Sequence, residues 1–350
     1  MSRRTWYAVA TAIAFGTALG ASGSPAMARD VVVATWGGAY TDARKEANFD
    51  PFTAATGISV TPDVYTGGLG KVRAMTETGN VTWDLFQAET EDMTRGCVEG
   101  LLEPIDWSKI PDKGDIIPSA ISECGIGSVI GPTVLAHDAD KLGAELKTWA
   151  DFWNLKDFPG KRGLRRSPKT TLEAALLADG VPREQLYEVL GGEGGVDRAL
   201  AKLDEIKDQV LWWEKGAQPR EWLASGEVSM TIAFGGRIAT AIEEGKNFVI
   251  DWPSSFYAIS WWSIVKGAPN LDAAYEFLAF TATPEIQAEF SKRWPSGPVN
   301  MKAIGHLSPE RLRVLPVGDN LSASMEENNE FWDAHIETID RRFQAWLGQN

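Results

Sequence analysis

The stretch VVVATWGGAYTDARKEANFDPF, Val31 to Phe52, carries the information that decides the fold. The β-branched run Val31 to Thr35 reads as a buried strand. Gly37-Gly38 then interrupts the chain. Thr41 or Asp42 is placed to cap a helix that runs towards Thr56, with Gly57 to stop it and Pro51 to kink it. A strand, a glycine turn and a returning helix make the repeating unit of a parallel α/β sheet. The glycine pair also raises the question of a phosphate loop. Neither G-x-G-x-x-G nor G-x-x-x-x-G-K-[ST] is present, so a nucleotide site is set aside. What Gly37 and Gly38 still offer is backbone N–H groups at a helix start, which suit a carboxylate or hydroxyl.

The same rhythm continues outward. Ile58 to Val60 begins a second strand, Gly67-Gly68-Leu69-Gly70 precedes a helix over Lys71 to Glu77, and Trp83 to Phe86 reads as a short strand. Val129 to Ala136 is another apolar strand. Thr148 caps a helix with Asp151 three residues on. A second α/β set follows, with strands at Val228 to Ala233, Phe248 to Ile250 and Ile259 to Val265. Helices are expected over Val196 to Val210, Leu271 to Phe280, from Pro284, and over Asn328 to Leu347.

The chain has 350 residues, enough for one large domain or two medium ones. Residues 1–28 read as a secretory signal peptide. Arg3-Arg4 is followed by an almost wholly apolar run to Leu19, and small residues precede a cut after Ala28. No other run reaches the roughly 18 apolar residues of a membrane span, so the expectation is a soluble periplasmic protein. The formal charge is −14, and loss of Arg3 and Arg4 leaves −16. Such an acidic chain is a poor match for a phosphate backbone, so no nucleic-acid partner is expected. Cys97 and Cys124 are the only cysteines. In an oxidising compartment they point to a disulfide rather than two free thiols, and no metal site is expected around them.

No catalytic constellation emerges. The histidines His137, His306 and His335 are widely separated, and neither G-x-S-x-G nor H-E-x-x-H occurs. Glu89-Thr90-Glu91-Asp92 is a local acid cluster that reads either as a solvated turn or as a cation site. Tryptophan stands out: fourteen of fifteen lie beyond the leader, several beside Gly, Pro or another Trp, as at Trp36, Trp212-Trp213, Trp261-Trp262 and Trp294-Pro295. Aromatic faces in a cleft suit an organic ligand or a cation, whereas the same rings in periodic helices are core.

With these residues in view, the chain resembles the bacterial ABC-transporter solute-binding proteins of the spermidine/putrescine-binding group. The landmarks are Ala34 to Tyr40, Leu102 to Pro111, Thr148 to Trp153, Trp262 to Asn270 and the Thr283-Pro284-Glu285 helix start. The resemblance implies a two-lobed α/β periplasmic-binding-protein fold, each lobe a mixed, mostly parallel sheet flanked by helices, with a ligand cleft between them. By order along the chain, lobe one would be 29–136 and 256–305, and lobe two 137–255 and 306–350. It further implies a monomeric, non-enzymatic binder without cofactor, which hands its ligand to an inner-membrane ABC permease. A secreted hydrolase using the same cleft and a sensor that reports to a membrane kinase are the alternatives.

The resemblance also implies where ligand contacts fall: Trp36, Gly38 and Tyr40 in lobe one, Trp213 and the Phe234 to Arg237 turn in lobe two, and Ser260-Trp261. Polyamine binders of this group place an aspartate where this chain has Ser260. An unpaired buried ammonium would cost roughly 2–5 kcal/mol, so Asp251, Asp84 or Glu89 would have to compensate. Arg237 and Arg293 fall in expected binding loops, and arginine matches a carboxylate bidentately. The expected ligand is therefore a polyamine or related small amine, with a carboxylate-bearing compound such as 4-aminobutyrate or an opine as the alternative.

Overall fold

The computed structural model describes Met1 and residues 30–142 and 146–349; the leader expected over residues 1–28 lies, beyond Met1, outside the described residues. Nine strands form one mixed sheet. They are β1 (Val31–Thr35), β2 (Val60–Val64), β3 (Leu85–Ala88), β4 (Ile126–Asp138), β5 (Arg162–Arg165), β6 (Val210–Trp213), β7 (Met230–Phe234), β8 (Phe248–Ile264) and β9 (Met325–Glu326). The order is β2-β1-β3-β8-β4-β7-β5-β6, with β9 beside β8. The outer pairs β1–β2, β1–β3, β5–β6 and β5–β7 are parallel, while β3–β8, β4–β8 and β4–β7 are antiparallel.

The opening stretch folds as strand, turn and helix, with two differences from expectation. The helix starts at Gly38, ahead of Thr41 and Asp42. Gly37 and Gly38 have φ of 77° and 55°, and this left-handed backbone turns the chain straight out of β1 into the helix. The expected kink at Pro51 takes the form of a π-helical segment, Lys45–Phe49, just before it. Pro51 has no N–H to return to the preceding turn, and the helix widens so that the Asp50 N–H reaches the Lys45 carbonyl. Gly57, φ 77°, ends the helix as anticipated.

A larger difference lies in β8. Two separate strands were expected at Phe248 to Ile250 and Ile259 to Val265, but the chain runs as one strand through Pro253. Asp251 pairs with Leu135 and Phe256 with Thr133, so the residues between 251 and 256 form a bulge opposite Val134. A proline is tolerated in a ladder at such a place, because no N–H is required of it.

The apolar residues gather mainly into two cores. One holds β1, β3 and the helix Leu271–Thr281, with Phe49, Phe52, Trp83 and Trp262 among its buried rings. The other holds the helices Thr171–Ala178 and Gly195–Asp204 and the final helix Asn329–Leu347, with Phe152, Trp332 and Phe343. β4 and β8 pass from one to the other. Ile126, Ile130, Ile259 and Ile264 belong to the first core, Leu135 and Phe256 to the second. Cys97 and Cys124 are joined, Cα–Cα 5.6 Å, tying the end of the helix Thr90–Val98 to the segment before β4. No helix among the described residues is long and apolar enough to cross a membrane.

Candidate functional site

A cleft of about 540 Å³ opens where β4 and β8 cross between the two cores. Its floor is the middle of those strands, Val129 and Gly131–Thr133 facing Ala258–Ser260. One wall comes from the first core: Tyr40, Glu89 and Glu91, and the loop Trp294–Ser296. The opposite wall comes from the second: Arg165, Lys169, Thr170, Phe234 and Arg237. Arg165 and Phe234 close the parallel strands β5 and β7, the strand ends where α/β sheets place ligands.

The two arginines and one glutamate of these walls are unusual in lacking partners. Among the described residues, the Arg165 guanidinium has no hydrogen bond or ion pair. It lies 5.4 Å over the Phe234 ring and 5.7 Å over that of Trp213. Arg237, exposed in the cleft, likewise pairs with no acid. Arg162, three residues before Arg165, shows the contrast. It is fully buried and donates to the Phe152, Gly160 and Phe158 carbonyls and to Ser229 Oγ, all at 2.6–2.8 Å. Burial holds its pKa down at about 10, and it serves the fold.

Across the cleft, the carboxylate of Glu89 is exposed to the cavity and makes no ion pair. Shielding from bulk water, and then the neighbouring Glu91, raise its pKa above the ordinary carboxylate range. Lys169 is the group that bridges the walls. Its ammonium donates to Glu91 Oε1 at 2.7 Å and Asn329 Oδ1 at 2.8 Å, and lies 3.1 Å from Glu327 Oε2. Burial works against this charge, but Glu327 and Glu91 outweigh it and hold the ammonium above its usual pKa.

Two buried hydroxyls complete the site. Among the described residues, Thr170 Oγ1 and Ser296 Oγ have no hydrogen-bond partner, and both residues line the cleft. Thr170 is 3% exposed and holds φ at 67°. For a β-branched residue that backbone is costly, and such strain concentrates at functional sites. Gly236 is required by close approach: a Cβ there would sit 3.1 Å from the Pro295 carbonyl oxygen. The helix carrying Arg237 therefore meets the Trp294–Ser296 loop directly.

The structure sorts the residues anticipated from sequence. Tyr40, Glu89, Arg237 and Ser260 line the cleft together. The others stand outside its lining. Trp36 packs 4.9 Å from Tyr65 against the first core. Gly38 is exposed and shapes the helix start. Trp213 is 1% exposed and donates its indole N–H to the Ile232 carbonyl at 3.0 Å. Trp261 is 4% exposed and donates to Thr90 Oγ1 at 2.9 Å, so it supports a lining residue from behind. Arg293 bonds Glu289 at 2.7 Å and Glu46 at 3.3 Å on the surface. Of the three acids considered for the missing aspartate, only Glu89 reaches the cleft. Asp84 is buried beneath β1, accepting from the Val32 and Asn270 N–H groups, both at 2.8 Å. Asp251 lies in the β8 bulge. The acid cluster at 89–92 is not a plain solvated turn. Glu89 and Glu91 line the cleft, Asp92 binds the Tyr65 hydroxyl and the Gly68 N–H, and no metal-binding group forms among the described residues.

Sequence reasoning missed Arg165, Lys169, Thr170 and Glu327, whereas Glu91 was noted in the acid cluster and Trp294 and Ser296 lie in the loop expected to bind. Arg165 alone left a readable signal, a charged residue closing a short strand in a parallel sheet.

The mixed sheet is crossed by two long strands and carries a charged cleft at the crossing, as in the solute-binding proteins it resembles. The sequence pattern of the bacterial extracellular solute-binding proteins matches residues 47–309. The chain is 43% identical over 336 residues to the gamma-aminobutyric acid-binding protein of Pseudomonas aeruginosa, covering 96% of this chain and 95% of that one. The solved structure of a GABA receptor superposes with a TM-score of 0.82 at 32% identity, over 92% of this chain and 98% of the other. The spermidine/putrescine-binding periplasmic protein of Escherichia coli is more distant, 21% identical over 278 residues, 75% of this chain and 76% of that protein. The chain belongs to the bacterial extracellular solute-binding family, and it is the substrate-binding protein of an ABC transporter. The family is therefore as the sequence suggested, while the polyamine group within it is supported by distant relatives only.

Proposed function

We propose that the cleft binds a short ω-amino carboxylate of the 4-aminobutyrate kind. The observation that carries this reading is the pairing of unpartnered charges across one cavity: Arg165 and Arg237 on one wall, Glu89 on the other. The cleft lining holds three cations (Arg165, Lys169, Arg237) and three carboxylates (Glu89, Glu91, Glu327), so its formal charge balances. A site for a polyamine needs an excess of acid, whereas a zwitterion needs separated poles of opposite sign. The relatives that bind gamma-aminobutyric acid support the same choice. In this reading Arg237 and Arg165 take the carboxylate with the Thr170 or Ser296 hydroxyl, Glu89 takes the ammonium, and Trp294 walls the methylene chain.

The two walls belong to lobes that divide near residues 137 and 256 and close on the ligand by hinge motion. The loaded protein acts in the periplasm, as a monomer, and presents its ligand to an inner-membrane permease.

Thermal-shift titration of the purified protein against 4-aminobutyrate, putrescine, spermidine and an opine tests the reading. Stabilisation by 4-aminobutyrate, lost in Arg237→Met, is the expected result. Stabilisation by the diamines alone would return the site to the polyamine class.

A further inference from the structure

Beneath the cleft, a polar network exceeds what packing requires. Arg44 is 2% exposed, yet no carboxylate pairs with it among the described residues. Its guanidinium lies 3.6 Å over the Phe290 ring and 4.9 Å over that of Trp262. Nη1 donates to Asn48 Oδ1 at 3.0 Å, while Nε and Nη2 donate to the Tyr40 phenol oxygen at 3.2 and 2.8 Å. Gln87 Nε2 donates to the same oxygen, and to Ser128 Oγ at 2.9 Å. Ser128 Oγ in turn donates to the Ser260 carbonyl at 3.0 Å.

One arrangement of the protons keeps every hydrogen bond named above. Ser128 has a single proton, and the Ser260 carbonyl takes it. Its oxygen must then accept from Gln87, which fixes the amide with nitrogen towards both Ser128 and Tyr40. Three N–H groups converge on the Tyr40 oxygen and fill its two lone pairs. The hydroxyl proton of Tyr40 has no acceptor among the described residues, and Gln87 Oε1, the acceptor left over, makes no hydrogen bond. Tyr40 lines the cleft, its ring held edge-on by Phe290 at 5.4 Å and Trp294 at 5.3 Å.

We propose that Arg44 and Gln87 are positioning residues that lock Tyr40 as a hydrogen-bond donor towards the ligand, so that the Tyr40 hydroxyl accepts no proton from an ammonium and instead meets a carboxylate oxygen, while Glu89 takes the ammonium elsewhere on the same wall. The proposal rests on the ω-amino-acid reading of the same cleft and names the residues that enforce it from outside the lining. A buried guanidinium without a counter-ion is expensive, and a ligand carboxylate at Tyr40 supplies the missing negative charge. Through the Trp294–Ser296 loop, Tyr40 adjoins the helix start that carries Arg237, so one carboxylate is read by both walls.

Calorimetric titration with 4-aminobutyrate, and competition by n-butylamine, which lacks the carboxylate, tests this in Tyr40→Phe, Arg44→Met, Arg44→Lys, Gln87→Leu and the Tyr40→Phe/Arg44→Met double variant. Tyr40→Phe should weaken 4-aminobutyrate roughly 10- to 100-fold, the range for a hydrogen bond to a charged group, and change n-butylamine by less than about threefold. Arg44→Met should weaken 4-aminobutyrate alike, Arg44→Lys should recover part of the loss, and the double variant should be no worse than Tyr40→Phe, since the residues act through one proton. Equal losses for acid and amine, or additive losses in the double variant, would overturn the proposal by reducing Arg44 to a packing role. Should Arg44→Met not fold, Gln87→Leu carries the same comparison. A wild-type protein that binds diamines and not 4-aminobutyrate would instead overturn the ω-amino-acid reading itself, so the two failures are seen in different samples.

Discussion

Removing the ammonium of Lys169 exposes how the two walls of the cleft are held. Lys169 meets Glu91 at 2.7 Å and Glu327 at 3.1 Å, and the side chains of the three are only 20%, 24% and 7% exposed. Lys169→Met keeps most of the stem and deletes the charge. Glu327 is then left almost buried with no cation, facing Glu91 and Glu89. Stranding one member of a buried pair costs about 3–5 kcal/mol. The melting temperature should fall by roughly 5–10 °C, since each kcal/mol moves a domain of this size by about 2 °C. Differential scanning calorimetry at neutral pH reads this directly. Raised salt should leave most of the deficit, because buried pairs are weakly screened. Adding Glu327→Gln to Lys169→Met should recover at least half of the loss, because the more deeply buried of the two stranded carboxylates is then gone. A Lys169→Met protein that melts within 1 °C of wild type, on the order of the uncertainty in such estimates, would refute the reasoning and make the bridge a surface pair of negligible worth.

Three further expectations can be checked together. Burial and the nearby Glu91 raise the Glu89 pKa, so affinity for a cationic ligand should decline, as pH falls, from a higher pH than an ordinary carboxylate predicts. Titration calorimetry from pH 7 to 4 measures this, and Glu89→Gln should abolish the pH dependence along with about 10-fold or more of the affinity. Glu173, fully buried with its carboxylate accepting from the Trp332 indole N–H at 2.6 Å, has its pKa pushed up to about 8 by burial. Its raised pKa favours the folded state below the unfolded value near 4.5, and that advantage is lost as pH rises through about 8. Glu173→Gln should therefore melt higher than wild type at pH 8.5 and close to it at pH 5; an unchanged difference across that range would count against a neutral buried acid. Reduction of Cys97–Cys124, which closes a sequence separation of 27, should cost roughly 3–4 kcal/mol by loop entropy, read as a lower melting temperature in the presence of a reductant.

Much of the framework was legible because it depends on local pattern. The β-branched run before Gly37, the Thr148–Asp151 capping box and Gly57 as a helix stop each follow from residues within one turn of each other, and each is present. β8 was misread at Pro253 for the opposite reason. Whether a proline breaks a strand or sits in its bulge is decided by the partner strand, here the register shift between Thr133 and Leu135.

The site was harder to read for a related physical reason. Arg165, Arg237 and Arg293 look alike in sequence, each beside an aromatic or glycine-rich stretch. What separates them is whether an acid arrives to neutralise the charge. Arg293 meets Glu289 one turn back on its own helix and Glu46 from 247 positions away, and it is spent on the surface. Arg165 and Arg237 meet none and remain available. The same holds for the acids: Asp84 is claimed by backbone N–H groups from two distant segments, while Glu89 is left free. The groups proposed to read the ligand are thus marked out by the acids and cations they do not meet among the described residues, a property of the assembled fold. Tyr40 extends the argument to neutral groups. Its ring position was legible in the opening stretch, but its role as a donor depends on three N–H groups from Arg44 and Gln87. Such a residue acquires its specificity from the network behind it, so selectivity in this cleft can be altered by substitutions that never touch the ligand.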